Sequence, residues 1–386
     1  VQVKIQGTTS SSFDTVQQTF ASLWDDIEVG AALSVYWRGH PVVNLWGGYT
    51  DREQQHAWQE DTLVNVYSTT KGLATFAFAL LVEDGKLRYE DKVADYWPEF
   101  AANGKDQVTV AQLLSHQSGV CGVDATLSVE DLYDWEKMTR LIAAQKPFWP
   151  PGEASGYHAV TWGYLPGELI LRLTGQTLGQ FFQERVAKPL GLNFYIGVPE
   201  AKLADCATLI GPNHARKQAE TSKSTDPDTS EPSEYFKASL MNPPISPFKH
   251  ACSKAWRMAE LAASNGHGDA ISIAKLYALM AAGGTLGGIR LISSEVLDAA
   301  CKLEVGAAVD LVTGTVTRRS RGFILSHAGN YGPGLRSFGH AGAGGSIGFA
   351  DPEIELSFAY VMNQMQPDTL HESRASRLID AVYRCL

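Results

Sequence analysis

The sequence predicts an α+β fold: an antiparallel sheet drawn from both ends of the chain and flanked by helices, with a mainly helical region inserted between its strands. Three observations predict it. Residues 31–37 and 41–46 are β-rich runs around Arg38-Gly39-His40, the pattern of a hairpin. Near the other end, Ile354, Leu356, Phe358 and Tyr360 alternate strictly, the pattern of a half-buried strand. Between these stretches the apolar spacing is mostly helical. The expected division assigns 1–86 with 255–386 to an α/β sandwich holding the sheet, and 87–254 to the helical region. At 386 residues the chain is long enough for a large core.

The elements follow in order. Phe13, Val16, Phe20, Leu23 and Ile27 step by three and four, giving an amphipathic first helix. Residues 64–74 pass from a short β-branched run through Ser68-Thr69-Thr70-Lys71 into an apolar helix. Leu73, Phe76, Ala77, Leu80 and Leu81 share one face of that helix, and Asp84-Gly85 closes it. Residues 87–100 are irregular and acidic. Residues 110–114 read as a short helix running into the turn Ser115-His116-Gln117-Ser118-Gly119. Two helices are expected around 129–146, stopped by Pro147, Pro150 and Pro151. Residues 162–173 and 178–190 read as helices parted by Gly175, with Pro166 implying a late start or a kink. Residues 211–250 turn polar and read as a long surface excursion, either a plain loop or a flap over a site. A buried helix at 271–280, short strands at 336–341 and 346–350, and a closing helix at 375–382 complete the chain.

Composition excludes several function classes. Apolar content of 44% and charged content of 19% are those of an ordinary globular protein. A net charge of −10 without a basic cluster argues against a nucleic-acid partner. No apolar run approaches the ~18 residues that span a bilayer, so no membrane partner is expected. The five cysteines form no CxxC and the histidines no HExxH, so neither metal nor cofactor is expected. Scattered thiols suggest a cytoplasmic setting, with a removed leader left open because the first residue is Val. Nothing indicates the oligomeric state.

The chemistry centres on Ser68. It stands where a strand hands over to a helix, and Lys71 lies three residues on, on the same helical face. The helix N-terminus adds free N–H groups and a positive dipole, which suit a nucleophile whose attack generates negative charge. The competing reading is a plain N-cap serine. Two other S-x-x-K matches lack that entrance: Ser246 lies in a proline-rich loop and Ser272 inside an amphipathic helix. Gly344-Gly345-Ser346-Ile347-Gly348 matches G-x-S-x-G, but strand pattern rather than helix follows the serine, and His371 is the one later histidine.

Further elements accompany Ser68-Thr69-Thr70-Lys71: Gln112-Leu113-Leu114-Ser115-His116-Gln117-Ser118-Gly119, then Pro151-Gly152-Glu153-Ala154-Ser155-Gly156-Tyr157, then Gly339-His340-Ala341-Gly342-Ala343. In that order and spacing the chain resembles serine hydrolases of the β-lactamase and penicillin-binding-protein fold, and among them the family VIII carboxylesterases, relatives of class C β-lactamases. The resemblance implies a β-lactamase/transpeptidase-like architecture, Ser68 as nucleophile, Lys71 as its partner, and Tyr157 as the tyrosine of the Y-x-N element. It implies that His340-Ala341-Gly342 replaces K-T-G on the strand lining the substrate site, and that the N–H groups of Ser68 and Ala343 form an oxyanion hole.

Two departures matter. Tyr157-His158-Ala159 lacks the asparagine, and His340 stands where β-lactamases carry a lysine that meets the substrate carboxylate. Both weaken the case for β-lactam substrates and leave room for a simple ester. Trp149, with Phe148 and Trp135, is a candidate wall for an apolar acyl pocket, core packing being the other reading. His116 reads as a turn-fixing residue. The expected function is a carboxylesterase acting on small-molecule esters of short to medium acyl chains, through an acyl-enzyme on Ser68. Its base would be Lys71, Tyr157, or the two sharing a proton. The alternatives are a D-amino-acid amidase, DD-peptidase-like enzyme or weak β-lactamase on the same scaffold, and a non-catalytic binding protein of this fold.

Overall fold

The computed structural model describes residues 3–25, 27–212, 231–367 and 373–386; positions 213–230 of the expected polar excursion, and His371, lie outside them. With strands numbered along the chain, the main sheet runs β1 (Gln6–Thr9), β3 (His40–Gly48), β2 (Gly30–Trp37), β15 (Leu356–Met362), β14 (Ile347–Asp351), β13 (Phe338–Ala341), β11 (Ile324–Leu325), β10 (Val316–Arg319), β9 (Val305–Val309). All its pairings are antiparallel, and the two chain ends meet at its middle, where β2 pairs with β15 from Ala31–Met362 to Trp37–Leu356. A smaller sheet holds β4 (Val64–Asn65), β6 (Gly266–Gly268) and β5 (Phe194–Ile196). β7 (Thr285–Leu286) and β8 (Ile289–Arg290) form a separate hairpin, and β12 (Asn330–Pro333) packs on the last helix.

The β2–β3 hairpin turns at Arg38 and Gly39, with φ of 50° and 77°. Positive φ at both loop residues matches the right-handed twist of the flanking strands. At the other end, β15 corrects an expectation: it is not half-buried but buried along its whole length. Its alternation is one of size rather than exposure. Ser357 points to the helix Ala270–Ala281, donating from Oγ to Ala274 O at 2.7 Å. Tyr360, on the opposite face, meets Glu28 and lies beneath the Arg374 guanidinium at the start of the helix Arg374–Tyr383. Both faces of the central strands are therefore covered, small residues beneath one helix and aromatics towards the other.

The helix after Ser68, α2 (Thr69–Glu83; α1 being Asp14–Ala21), is buried from Thr69 to Leu81 on every side, not on one face alone. It packs on β13 and β14 and also on the inserted helices, so no face is left for solvent. The insert contains α3 (Val110–Leu114), α4 (Trp135–Ala144) and α5 (Tyr164–Thr174). Pro166 sits in the first turn of α5, where its missing N–H costs no helical bond. The stretch 178–190 stays helical through one wide turn at Gln183–Ala187. Residues 87–100 form 3₁₀ turns at Val93–Asp95 and from Pro98 onward. β9 to β12 have no counterpart in the sequence reading. β9 is the sheet edge, exposed at all but its first residue, and so carries no apolar alternation. Among the described residues no helix is long and apolar enough to cross a membrane.

Candidate active site

β4 ends at Asn65, and Tyr67, two residues on, takes φ of 44°, a left-handed conformation uncommon for a bulky side chain. The Tyr67 hydroxyl bonds Pro247 O, which helps hold this bend. The chain turns sharply there, and Ser68 becomes the N-cap residue of α2. Its hydroxyl makes no cap bond. It faces two other groups instead: Tyr157 donates from its phenol to Ser68 Oγ at 2.7 Å, and Lys71 Nζ lies 3.3 Å from the same oxygen.

Lys71 is completely buried and forms no ion pair among the described residues; Nζ donates to Ala159 O at 2.8 Å and Ala263 O at 3.0 Å. Two carbonyls take two N–H groups. The third position on nitrogen points at Ser68, as a proton if the amine is charged and as a lone pair if it is neutral. Burial, with the nearby Arg319 guanidinium, pushes Lys71 well below the usual lysine range. Burial pushes Tyr157 the other way, to about 12, against the opposing pull of its bond to Ser68 and of Arg319. Both shifts favour the uncharged forms, an amine with a free lone pair beside a protonated phenol.

Tyr157 comes from an irregular segment, and its place is set by groups from elsewhere. Its N–H donates to Asp310 Oδ1 at 3.1 Å, and its carbonyl accepts from Ser239 Oγ at 2.6 Å. Ser239 Oγ also accepts from Ala159 N at 3.0 Å, so one hydroxyl spans the residues on either side of His158. His158 donates its backbone N–H to His116 Nδ1 at 2.9 Å, and His116 holds φ of 65° in the turn after α3. This is the turn-fixing arrangement anticipated for His116. Burial holds His116 well below the ordinary histidine range, which leaves Nδ1 free to accept. His158 is pushed down to about 4, again chiefly by burial, and its Nδ1 donates to Gly156 O at 2.6 Å.

The fold agrees with comparisons to known proteins. A family model described as Beta-lactamase matches residues 16–383. The chain belongs to the β-lactamase family. It is similar to Esterase/beta-lactamase LipL of Mycobacterium tuberculosis, 32% identical over 94% of this chain and 83% of that protein. A solved family VIII carboxylesterase superposes with a TM-score of 0.92 at 43% identity, covering 99% of this chain and 100% of that one. A penicillin-binding protein homolog from Caulobacter crescentus follows at TM-score 0.90 and 37% identity, over 99% of this chain and 100% of that one.

Within this β-lactamase-family frame, the substituted positions behave distinctively. His340, on β13, is 2% exposed and donates from Nδ1 to Ala341 O at 2.7 Å. Its Nε2 is buried without a hydrogen-bond partner among the described residues. Burial and then Lys71 push it well below the usual histidine range, so it presents an acceptor and no charge. Ala341 ends β13, and Gly342 and Ala343 lie in the turn to β14. Gly342 admits no side chain: an added Cβ would stand 2.1 Å from Val66 O. Trp149 donates to Ala154 O at 3.0 Å and lies under Gly156, whose added Cβ would meet the indole at 2.4 Å. It shares a small apolar cluster with Phe148, Tyr235 and Ala238. Trp135 packs elsewhere, on Tyr164 and Gly167, with its indole N–H on Glu168 Oε2 at 2.7 Å.

The other serine candidates have separate engagements. Ser346 is buried and donates to Val66 O at 2.8 Å. Ser272 sits in the first turn of the helix Ala270–Ala281, and its Oγ accepts from Asn193 N at 2.8 Å. Asp310, Arg319 and Ser239 were not anticipated. The one available signal was the turn chemistry of Asp310 to Gly314-Thr315, which marks a hairpin but not where it docks.

Proposed function

We propose that this chain cleaves carboxylic esters of short to medium acyl chains through an acyl-enzyme on Ser68. It is a serine ester hydrolase on the β-lactamase fold. The observation that carries the mechanism is the convergence of the Tyr157 phenol and the Lys71 amine on Ser68 Oγ. A serine hydroxyl attacks an acyl carbon only when its proton has somewhere to go. The buried amine, its two N–H groups tied to carbonyls, accepts that proton on its lone pair as Oγ bonds to the ester carbon. The N–H groups of Ser68 and Ala343 hold the resulting oxyanion, where preorganised donors act most strongly. When the tetrahedral adduct collapses, the Tyr157 hydroxyl gives its proton to the departing alcohol and is reprotonated from Lys71. Water then attacks the acyl-enzyme by the same route and releases the acid.

His340, Ala341 and Gly342 line the substrate along β13, with the aromatic cluster around Trp149 on the acyl side. An uncharged His340 offers nothing to pair with a carboxylate, which favours simple esters over β-lactams and D-alanyl peptides. The test treats the protein with a fluorophosphonate, followed by intact mass and peptide mapping, beside a panel of p-nitrophenyl esters, D-alanyl amides and nitrocefin. A single adduct on Ser68, ester turnover, and loss of both in Ser68→Ala are expected. An active Ser68→Ala protein, or an adduct on another serine, overturns the mechanism.

A further inference from the structure

The hairpin β9–β10 bears on the site in a way the mechanism above does not use. β10 is exposed or half-buried at Val316, Thr317 and Arg318, and only Arg319 is buried. Its pairing with β9 shifts register between Thr317 and Arg319, an irregularity of the kind that re-aims a side chain. Arg319 is thereby turned inwards. Its guanidinium lies 5.3 Å from the centre of the Tyr157 ring, while Lys71 Nζ lies 4.7 Å from it. Nη2 of Arg319 pairs with Asp310 Oδ2 at 2.8 Å, both side chains being almost fully buried, and Nε–H has no hydrogen-bond partner among the described residues.

Asp310 serves both sides. While one oxygen holds Arg319, the other accepts the Tyr157 N–H at 3.1 Å and the Val312 and Thr313 N–H groups at 3.0 and 2.9 Å. One residue on, Leu311 N donates to Ser155 O at 2.9 Å. The hairpin is thus pinned to the segment bearing the phenol, with a cation at the ring.

The geometry points to Asp310 and Arg319 as positioning residues: together they fix the Tyr157 segment and supply the permanent cation that sets the proton balance of the Ser68–Lys71–Tyr157 cluster. This rests on the mechanism proposed above. An arginine stays charged at any working pH, so a buried one disfavours a second positive charge nearby. Arg319 contributes to lowering four basic groups around it: Lys71 on α2, His116 in the turn after α3, His158 beside the phenol, and His340 on β13. Tyr331 on β12 lies near enough to feel Arg319 and Tyr157. The sign follows. Neutral Lys71 is the working form, so activity falls as pH drops through its lowered pKa. Removing the cation raises that pKa and moves the acid limb up; removing the anion lowers it and moves the limb down.

The experiment is the pH profile of kcat/KM on a p-nitrophenyl ester for Arg319→Met, Arg319→Lys and Asp310→Asn, with folding followed by circular dichroism. Arg319→Met, which removes the cation and leaves the anion, is expected to shift the acid limb upwards by about one pH unit. Arg319→Lys keeps it near the parent value, and Asp310→Asn shifts it downwards. A folded Arg319→Met protein with an unmoved limb overturns the inference; should that variant not fold, an unmoved or raised limb in Asp310→Asn does so. Phosphonate labelling of Ser68 in the same proteins keeps the two claims separate: labelled but unshifted variants defeat only the role of the pair.

Discussion

The two halves of the site are built in opposite ways. Ser68 and Lys71 belong to one helix end, three residues apart, and their relation is set by helix geometry and by burial of α2 from Thr69 to Leu81. Tyr157 has no regular element to place it. It is held by Asp310, 153 residues later, and by Ser239, 82 residues later, with His116 supporting its neighbour. The first half is rigid by local structure and the second by assembly. Damage to the first therefore acts on the chemistry itself, and damage to the second acts through alignment.

That contrast is sharpest at Lys71. Lys71→Met keeps the volume and removes the proton acceptor, and is expected to lower kcat by about 10²–10⁴ without changing the acyl-chain preference. Single-turnover acylation measures this directly. A variant within tenfold of the parent rate would mean that the phenol suffices as base and that the rigid half only supports it. Ser239→Ala strikes the assembled half. It leaves the Ala159 N–H without its hydroxyl acceptor and the Tyr157 carbonyl without its donor. A loss of ~1–3 kcal/mol in unfolding free energy is expected, with kcat about tenfold lower and KM nearly unchanged. Ser239→Thr, which retains the hydroxyl, restores much of both. Unaltered kcat in a destabilised Ser239→Ala protein would break the comparison, because the segment would then hold the phenol unaided.

The same contrast decides what could be read from the sequence. The hairpin at Arg38-Gly39, the strand-to-helix passage at Ser68 and the amine at Lys71 are legible because the relevant residues are neighbours along the chain. Pairing of the two chain ends in one sheet was legible from the order of elements, strands at both ends around a helical middle, though alternation misjudged exposure in β15, where small and large residues both lie buried. Asp310, Arg319 and Ser239 were not legible. Asp310 opens the turn of an exposed hairpin at the sheet edge and Arg319 ends its second strand, and Ser239 lies in a seven-residue helix, Glu234–Leu240, within the stretch read as a polar excursion. Their importance arises only from docking. Tyr157 was reached through resemblance to a family pattern, since neither periodicity nor spacing marks an irregular segment as a site.

Ser346 tests the boundary between the halves and should show the smallest effect. It lies at the end of the turn carrying Gly342 and Ala343, and its hydroxyl donates to Val66 O while standing 3.1 Å from Thr69 Oγ1. It thus ties the turn holding one proposed oxyanion donor to the bend that aims the nucleophile. Val66 O also accepts from Thr69 N at 3.1 Å, so removing the serine hydroxyl leaves that carbonyl bonded. The turn keeps its own closure from Gly342 N to Ser346 O at 2.7 Å, which needs no side chain. Ser346→Ala is therefore expected to cost about 1 kcal/mol of stability and to stay within a fewfold of the parent kcat. Thermal unfolding and p-nitrophenyl ester turnover measure the two. A loss comparable to that of Ser68→Ala would instead return Ser346 to the chemistry, and the G-x-S-x-G match would have to be taken as a nucleophile without the helix that such a turn requires.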